Sequence, residues 1–385
     1  NRGVALNAGG GTFDVDTGTT LTYNGIVDGT GDLTKADAGT LVLGGTSANT
    51  YTGATNVNIG VLELDKDAGI DAVIGTINLN GGILRLESNN QIKDTVQVNF
   101  SGGSFETNDF DEGDDSTASG IGKLNLTANS TLNVSDGSDI FRFTEDGHTG
   151  GTLTIKNWVG DTINGGKFDR ILVEEDLTNG ANIDIPLANY SFENWGGAEA
   201  KIIDLGGGLY EIVPDISGFV WDVDSDGSWG TGSNWDVNAV PDAADDIVIL
   251  GDIITANRTV TLSSNRTLGS LSIQEDAANN YTIDGSDLIM EVSSGKAFIS
   301  TIGPSAPTIN SDIQLNSDLN IVQKASGGMT INGVIKDGTG GTTITKSGNE
   351  KLILTGTNTY TGSTTINNGT VRISFDGNLG TAPGS

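Results

Sequence analysis

The chain has 385 residues, with 57 Gly, 6 Pro, no Cys and a formal charge of −31 from 19 Lys+Arg against 50 Asp+Glu. Such acidity repels nucleic acid and anionic membrane surfaces and suits divalent cations, basic partners or high salt. The absence of thiols excludes disulfides and thiolate metal sites, and no apolar run reaches the roughly 18–20 residues that cross a bilayer as a helix. The first residue is Asn1, not Met, with no leader ahead of it, so the expectation is a processed product or a window of a longer polypeptide.

Glycine without proline points to many tight corners between strands and away from a disordered chain. From Asn1 to about Ile155 one phrase recurs: alternating strand, Asn, Gly, alternating strand. It reads VALNAGGGTFDV at Val4–Val15, NVNIGVLEL at Asn56–Leu64, INLNGGILRL at Ile77–Leu86 and VQVNFSGGSFET at Val96–Thr107. Asn58, Asn80 and Asn99 lie 22 and 19 residues apart, so one coil takes about twenty residues. Alternation buries one side of each strand and wets the other. Stacked coils then place an apolar column inside and the three Asn residues in a ladder at one corner.

Asn108–Ser116, NDFDEGDDS, breaks this rhythm with five acids in nine residues. It reads either as a solvated loop leaving a corner or as a cation site. Near Trp158 the texture changes to larger aromatics and longer apolar runs. These are Phe168–Val173, Tyr190–Trp195 and a final LYEIVP at Leu209–Pro214. They suit a lid over an open solenoid end, where the last coil would expose its ladder.

Beyond a short linker at 214–218, Trp221, Trp229 and Trp235 stand close together in alternating text. They plug the start of a second solenoid, or offer ring faces that stack on sugars. Asp222, Asp224, Asp226 and Gly227 form the Asp-x-Asp-x-Asp-Gly opening of a calcium loop. Ser233 occupies the place of the closing Glu, which excludes a complete EF-hand. A looser Ca2+ turn and a plain acidic turn between strands both remain open.

Coils resume from Val260 and lead to a second copy of an earlier stretch. Asn24–Leu64 and Asn332–Ser374 match in fixed order. Lys35 answers Lys346, Leu41-Val42-Leu43 answers Leu352-Ile353-Leu354, and Gly45 answers Gly356. NTYTG at Asn49–Gly53 returns unchanged at Asn358–Gly362, and Val57, Gly60 and Leu62 answer Ile366, Gly369 and Val371. Leu41, Leu43, Tyr51, Leu352, Leu354 and Tyr360 are the expected repeat core. Lys to triplet is six residues in both copies, while triplet to Tyr differs by two. Tolerance of insertion at one corner only is how a solenoid reads.

This pattern resembles the autotransporter-associated β-strand repeat of secreted bacterial passenger domains. The resemblance implies an all-β, right-handed parallel β-helix (β-solenoid) outside a bacterial cell, and it implies no catalytic residues. LYEIVP resembles the family's closing segment, and the Trp-rich text after 218 resembles its opening one. The expected division is a first solenoid at 1–156, a closing cap and linker at 157–217, a Trp-rich opening cap at 218–258, and a second solenoid at 259–385.

A polysaccharide-degrading β-helix enzyme is a further alternative, but catalysis finds little support. The one His, His148, lies in the turn-like Glu145–Gly150, and no nucleophile elbow, P-loop or zinc spacing is present. The leading expectation is a non-enzymatic extracellular structural protein that stacks head to tail with itself, the Ser385 end on the next Asn1 end, as a surface or matrix fibre. The alternative is an adhesin that binds extracellular glycans through Trp229 and Trp235.

Overall fold

The structure, a computed structural model, describes residues 3–114, 120–134, 139–158, 160, 165, 169–176, 180–181, 184–193, 198–216, 218–274, 279–338 and 340–381. Asn1, Asp115, Ser116, Phe168, Asn194, Trp195 and Ser385, named above, lie outside them. The chain divides into two compact units, Asn1–Asp215 and Ile216–Ser385.

Short alternating strands bounded by glycine corners pair their backbone groups by lying on the preceding copy. In the first unit they do so in register. Leu41 stacks on Leu62, Leu62 on Leu84, Leu84 on Phe105, Phe105 on Leu132, Leu132 on Ile155 and Ile155 on Phe192. Every member of this column is fully buried. The residues between them face outward, where Arg85 bridges Glu63 at 3.0 Å and Glu106 at 2.8 Å. Partly exposed pairs of this kind contribute little stability; the column carries the fold.

Among the described residues the first unit has two long sheets. One holds eight strands, from Thr20–Tyr23 to Tyr190–Phe192. The other starts at Gly11–Asp14 and runs parallel as far as Arg170–Asp176. There the direction changes. Leu209–Pro214 pairs antiparallel with Arg170–Asp176, and Ala200–Gly206 pairs antiparallel with Leu209–Pro214. Ala200–Gly206 carries a β-bulge and charged Lys201 and Asp204, devices that blunt an edge strand. Beside this end Trp158 is buried edge-on against Phe192, 5.4 Å between ring centroids.

Asparagines stack, but in a different register from the one the spacing suggested. Asn78 donates to Asn56 at 2.7 Å, Asn99 to Asn78 at 2.7 Å and Asn125 to Asn99 at 2.9 Å. Asn58 and Asn80 form a separate column at 2.9 Å. Asn99 therefore sits on Asn78, not Asn80. Rungs of the longer ladder are 22, 21 and 26 residues apart, since corners absorb length differences while the apolar column fixes strand register.

The second unit repeats the principle with three parallel faces. Among the described residues these hold seven, seven and four strands, the smallest running from Arg266–Leu268 to Ile335–Asp337. Its core begins at Trp221, Trp229 and Trp235 and continues through Leu268, Leu288, Ile313 and Ile335 to Leu352 and Leu354.

Leu43 and Leu354, which hold the same place in the two repeats, are 1% and 2% exposed. Truncating either to Ala is expected to cost about 2–5 kcal/mol in denaturant unfolding of the whole chain. Losses below about 0.5 kcal/mol at both, the range of surface positions, would contradict the register.

Candidate functional site at the repeated coil corners

Lys35 and Lys346 occupy inward positions of their strands. Lys35 pairs with Phe13 on one side and Val57 on the other, and Lys346 with Ile321 and Ile366. Both lysines are fully buried. Their stems fill the apolar column and their ammonium groups end at a corner. Lys35 Nζ donates to Ala36 O at 2.7 Å, Asp37 O at 2.7 Å and Ile59 O at 3.2 Å. Lys346 Nζ donates to Ser347 O at 2.7 Å, Gly348 O at 2.5 Å and Asn368 O at 3.1 Å. Two carbonyls belong to the lysine's own turn and the third to the next coil. An ammonium has three protons, so each corner uses all of them. Burial lowers the pKa of Lys35, against the raising influence of Asp37 and Asp14.

The NTYTG segment builds the opposite corner. Asn49 Oδ1 accepts from Val27 N at 3.0 Å, and its Nδ2 donates to Ala72 O at 2.9 Å. Asn358 likewise accepts from Ile335 N at 2.7 Å and donates to Asn378 O at 2.5 Å. One amide thus joins the coil before to the coil after. Tyr51 and Tyr360 are buried, with their hydroxyls 2.6 Å from Thr55 and Thr364. Gly53 and Gly362 lie so close to the preceding coil that an added Cβ would stand 2.3 Å from Gly31 C and 2.1 Å from Thr342 O. The Asn, Tyr and Gly of the repeat thus each have a steric or hydrogen-bonding reason.

Two buried acids were not legible in the sequence. Glu112, in the acidic run, is buried and does not project from a solvated loop. Its Oε2 accepts from Gln91 N at 2.9 Å and Ile92 N at 3.3 Å. Asp111 accepts from Ile140 N at 2.8 Å. Burial pushes the Glu112 carboxyl up to about 8, aided by Asp94 and Asp71 and opposed by the two backbone donors. In the first unit Asp146 also lies in the apolar column, paired with Leu124, and accepts from Tyr190 Oη at 2.8 Å and Ile185 N at 3.0 Å. Burial raises its pKa as well.

The anticipated ligand positions are occupied otherwise. Asp224 receives Arg258 Nε and Nη2 at 2.9 and 2.8 Å and Thr255 Oγ1 at 2.6 Å. These bonds hold its carboxyl down at about 2. Asp226 accepts from Thr259 N at 2.8 Å, and Asp222 is exposed. Among the described residues no three His, Asp or Glu side chains are gathered to hold a metal ion. Of the two readings of Asp222, Asp224 and Asp226, a Ca2+ turn or a plain acidic turn, this arrangement favours the acidic turn, with Thr255 and Arg258 holding the middle carboxylate.

Trp229 and Trp235 are 0% and 1% exposed and meet edge-on at 5.0 Å, with Trp221 edge-on to Trp235 at 5.2 Å. Their indole N–H groups donate to Pro241 O at 2.9 Å and Trp229 O at 2.8 Å. Rings packed this way fit the plug reading, and neither Trp229 nor Trp235 exposes the face that the alternative, stacking on a sugar, requires. His148 Nε2 lies 3.2 Å from Gly151 O within its own turn.

This geometry defines a parallel β-solenoid whose coils are tied by buried lysine and asparagine corners. Residues 33–64 and 344–373 match the passenger-associated-transport-repeat, and the chain carries that repeat twice. The chain is also similar to the Adhesin BmaC autotransporter of Brucella suis biovar 1 (strain 1330), 32% identical over 183 residues. That match covers 44% of this chain and 5% of the relative's length. No solved structure matches.

Glu112 gives the corners a pH signature. With a folded value of about 8 against an ordinary 4.5, the native state holds a proton that the unfolded chain releases. Stability from this group is full below about 4.5 and is lost as pH rises through about 8. Glu112→Gln keeps the acceptor and is expected to raise the midpoint of thermal unfolding at pH 8 while leaving it unchanged at pH 4. A loss of stability at both pH values would contradict this.

Proposed function

We propose that the chain is a non-enzymatic segment of an autotransporter-type passenger, outside or on the surface of a bacterial cell, serving as an adhesive stalk. The observation that carries this reading is the corner built twice, at 33–64 and 344–373, with the same lysine, asparagine and tyrosine contacts. Repetition of a load-sharing corner supports length and stiffness as the product of selection, as in other solenoids. The similarity to an adhesin supports attachment as its use. Because that match spans 5% of the relative, the target of attachment is a matter for experiment.

A finer reading is head-to-tail stacking of such segments into fibres. It is supported by the outer strands of each unit. Ile366 is 51% exposed, whereas Val57, its counterpart in the first repeat, is fully buried under the next coil. Near the start of the first unit Leu21 and Ile26 are 43% and 42% exposed. A further coil laid about 4.8 Å away would cover either edge. A second copy laid there would make a heterologous contact that need not close.

Beads coated with the purified chain are expected to adhere to host-cell monolayers above beads coated with a solenoid lacking these repeats. Equal adhesion would sink the adhesive reading. Filaments by electron microscopy at high concentration would support stacking, and a monodisperse 39.6 kDa monomer would defeat it.

A further inference from the structure

The two lysine corners use the same three-carbonyl arrangement, yet the residue contributed by the next coil differs. In the first repeat Lys35 Nζ donates to the carbonyl of Ile59, which is followed by Gly60. In the second, Lys346 Nζ donates to the carbonyl of Asn368, followed by Gly369. The exposed Asn368 side chain turns back on its own peptide, its Oδ1 accepting from Gly369 N at 2.7 Å. A side-chain amide therefore sits beside the backbone nitrogen able to attack it, and a cation sits on the oxygen of that same peptide.

We propose that Asn368-Gly369 is a self-modification site, at which Lys346 promotes cyclisation and deamidation of Asn368. When Gly369 N loses its proton, the negative charge spreads onto Asn368 O, 3.1 Å from the Lys346 ammonium. A preorganised donor aimed at a developing oxyanion stabilises it. Gly369 N then bonds to Asn368 Cγ, the Cγ–Nδ2 bond breaks, and the nitrogen leaves as ammonia with the proton returned to it. Water opens the succinimide ring to aspartate or isoaspartate. No oxidant or reductant takes part.

The glycine supplies the freedom this needs. Gly369 has φ +73°, where an added Cβ would stand 2.4 Å from Gly348 O. Asn80-Gly81 is the natural comparison, also exposed but held differently. Asn80 Nδ2 donates to Asn58 Oδ1 at 2.9 Å, and among the described residues no lysine donates to its carbonyl. Isoaspartate at 368 would insert a methylene into the main chain and place a carboxylate beside the ammonium, drawing Lys346 from the carbonyls it caps. The corner would loosen with age in the second repeat and stay fixed in the first.

The test is peptide mapping of the full chain during incubation at mildly alkaline pH, following Asn368 in the tryptic peptide Leu352–Arg372 and Asn80 in Asp67–Arg85. In the folded chain Asn368 is expected to deamidate about tenfold faster than Asn80, less than a fully buried oxyanion donor contributes. In urea the two rates should converge, and in Lys346→Met the excess should vanish whether or not the last coil stays folded. A folded-state ratio at or below unity would overturn the proposal. So would an excess that persists in urea or in Lys346→Met.

Discussion

A parallel solenoid depends on what happens where strands end. Along a strand the ladder satisfies every backbone group, but a corner points carbonyls inward with no strand opposite them. A buried unsatisfied carbonyl costs more than most side-chain contacts contribute. Here the solution is one ammonium per repeat, entering through the apolar column and ending on three carbonyls of two successive coils. Much else in the repeat follows from accommodating it. Glycine at 60 and 369 lets the neighbouring turn approach, and the stems lie in register with Phe13 and Val57 in one repeat and Ile321 and Ile366 in the other.

The opposite corner uses a neutral group for the same purpose. Asn49 and Asn358 each donate to one coil and accept from another, as an amide does and a carboxylate does not. Where the first unit places Glu112 at a comparable corner, only its acceptor side is used, and desolvation drives the carboxyl toward its neutral form. The acidic surface and the neutral interior of this chain thus obey different rules. Charge outside keeps the solenoid solvated; buried charge is met by backbone carbonyls at the lysine corners and by an opposite charge at Arg170 and Glu211.

What the sequence could disclose follows from distance. Strand alternation, coil length and the Lys-to-NTYTG repeat are local patterns, and they revealed the solenoid and its core leucines. The role of Lys35 was hidden because its partners include Ile59, 24 residues away. The partner of Asp224 was hidden for a related reason: Arg258, which pairs with it, lies 34 residues away. Burial of Trp229 and Trp235 depends on coils that arrive later in the chain, so exposed and buried tryptophan read alike. Asn99 was set on the wrong neighbour because corners vary in length and only the apolar column keeps count.

The account stands or falls on the buried lysines. Lys35→Met and Lys346→Met preserve the stem and remove only the charge and its three donors. The direct measurement is hydrogen exchange of the whole chain, read at the turns around Asn58–Val61 and Asn367–Val371 in each variant. Each substitution is predicted to speed exchange at its own corner, with a stability loss of about 1–3 kcal/mol for each carbonyl left without a donor. Unchanged exchange at both corners, or a gain in stability from either methionine, would contradict the claim that these ammonium groups tie the coils together.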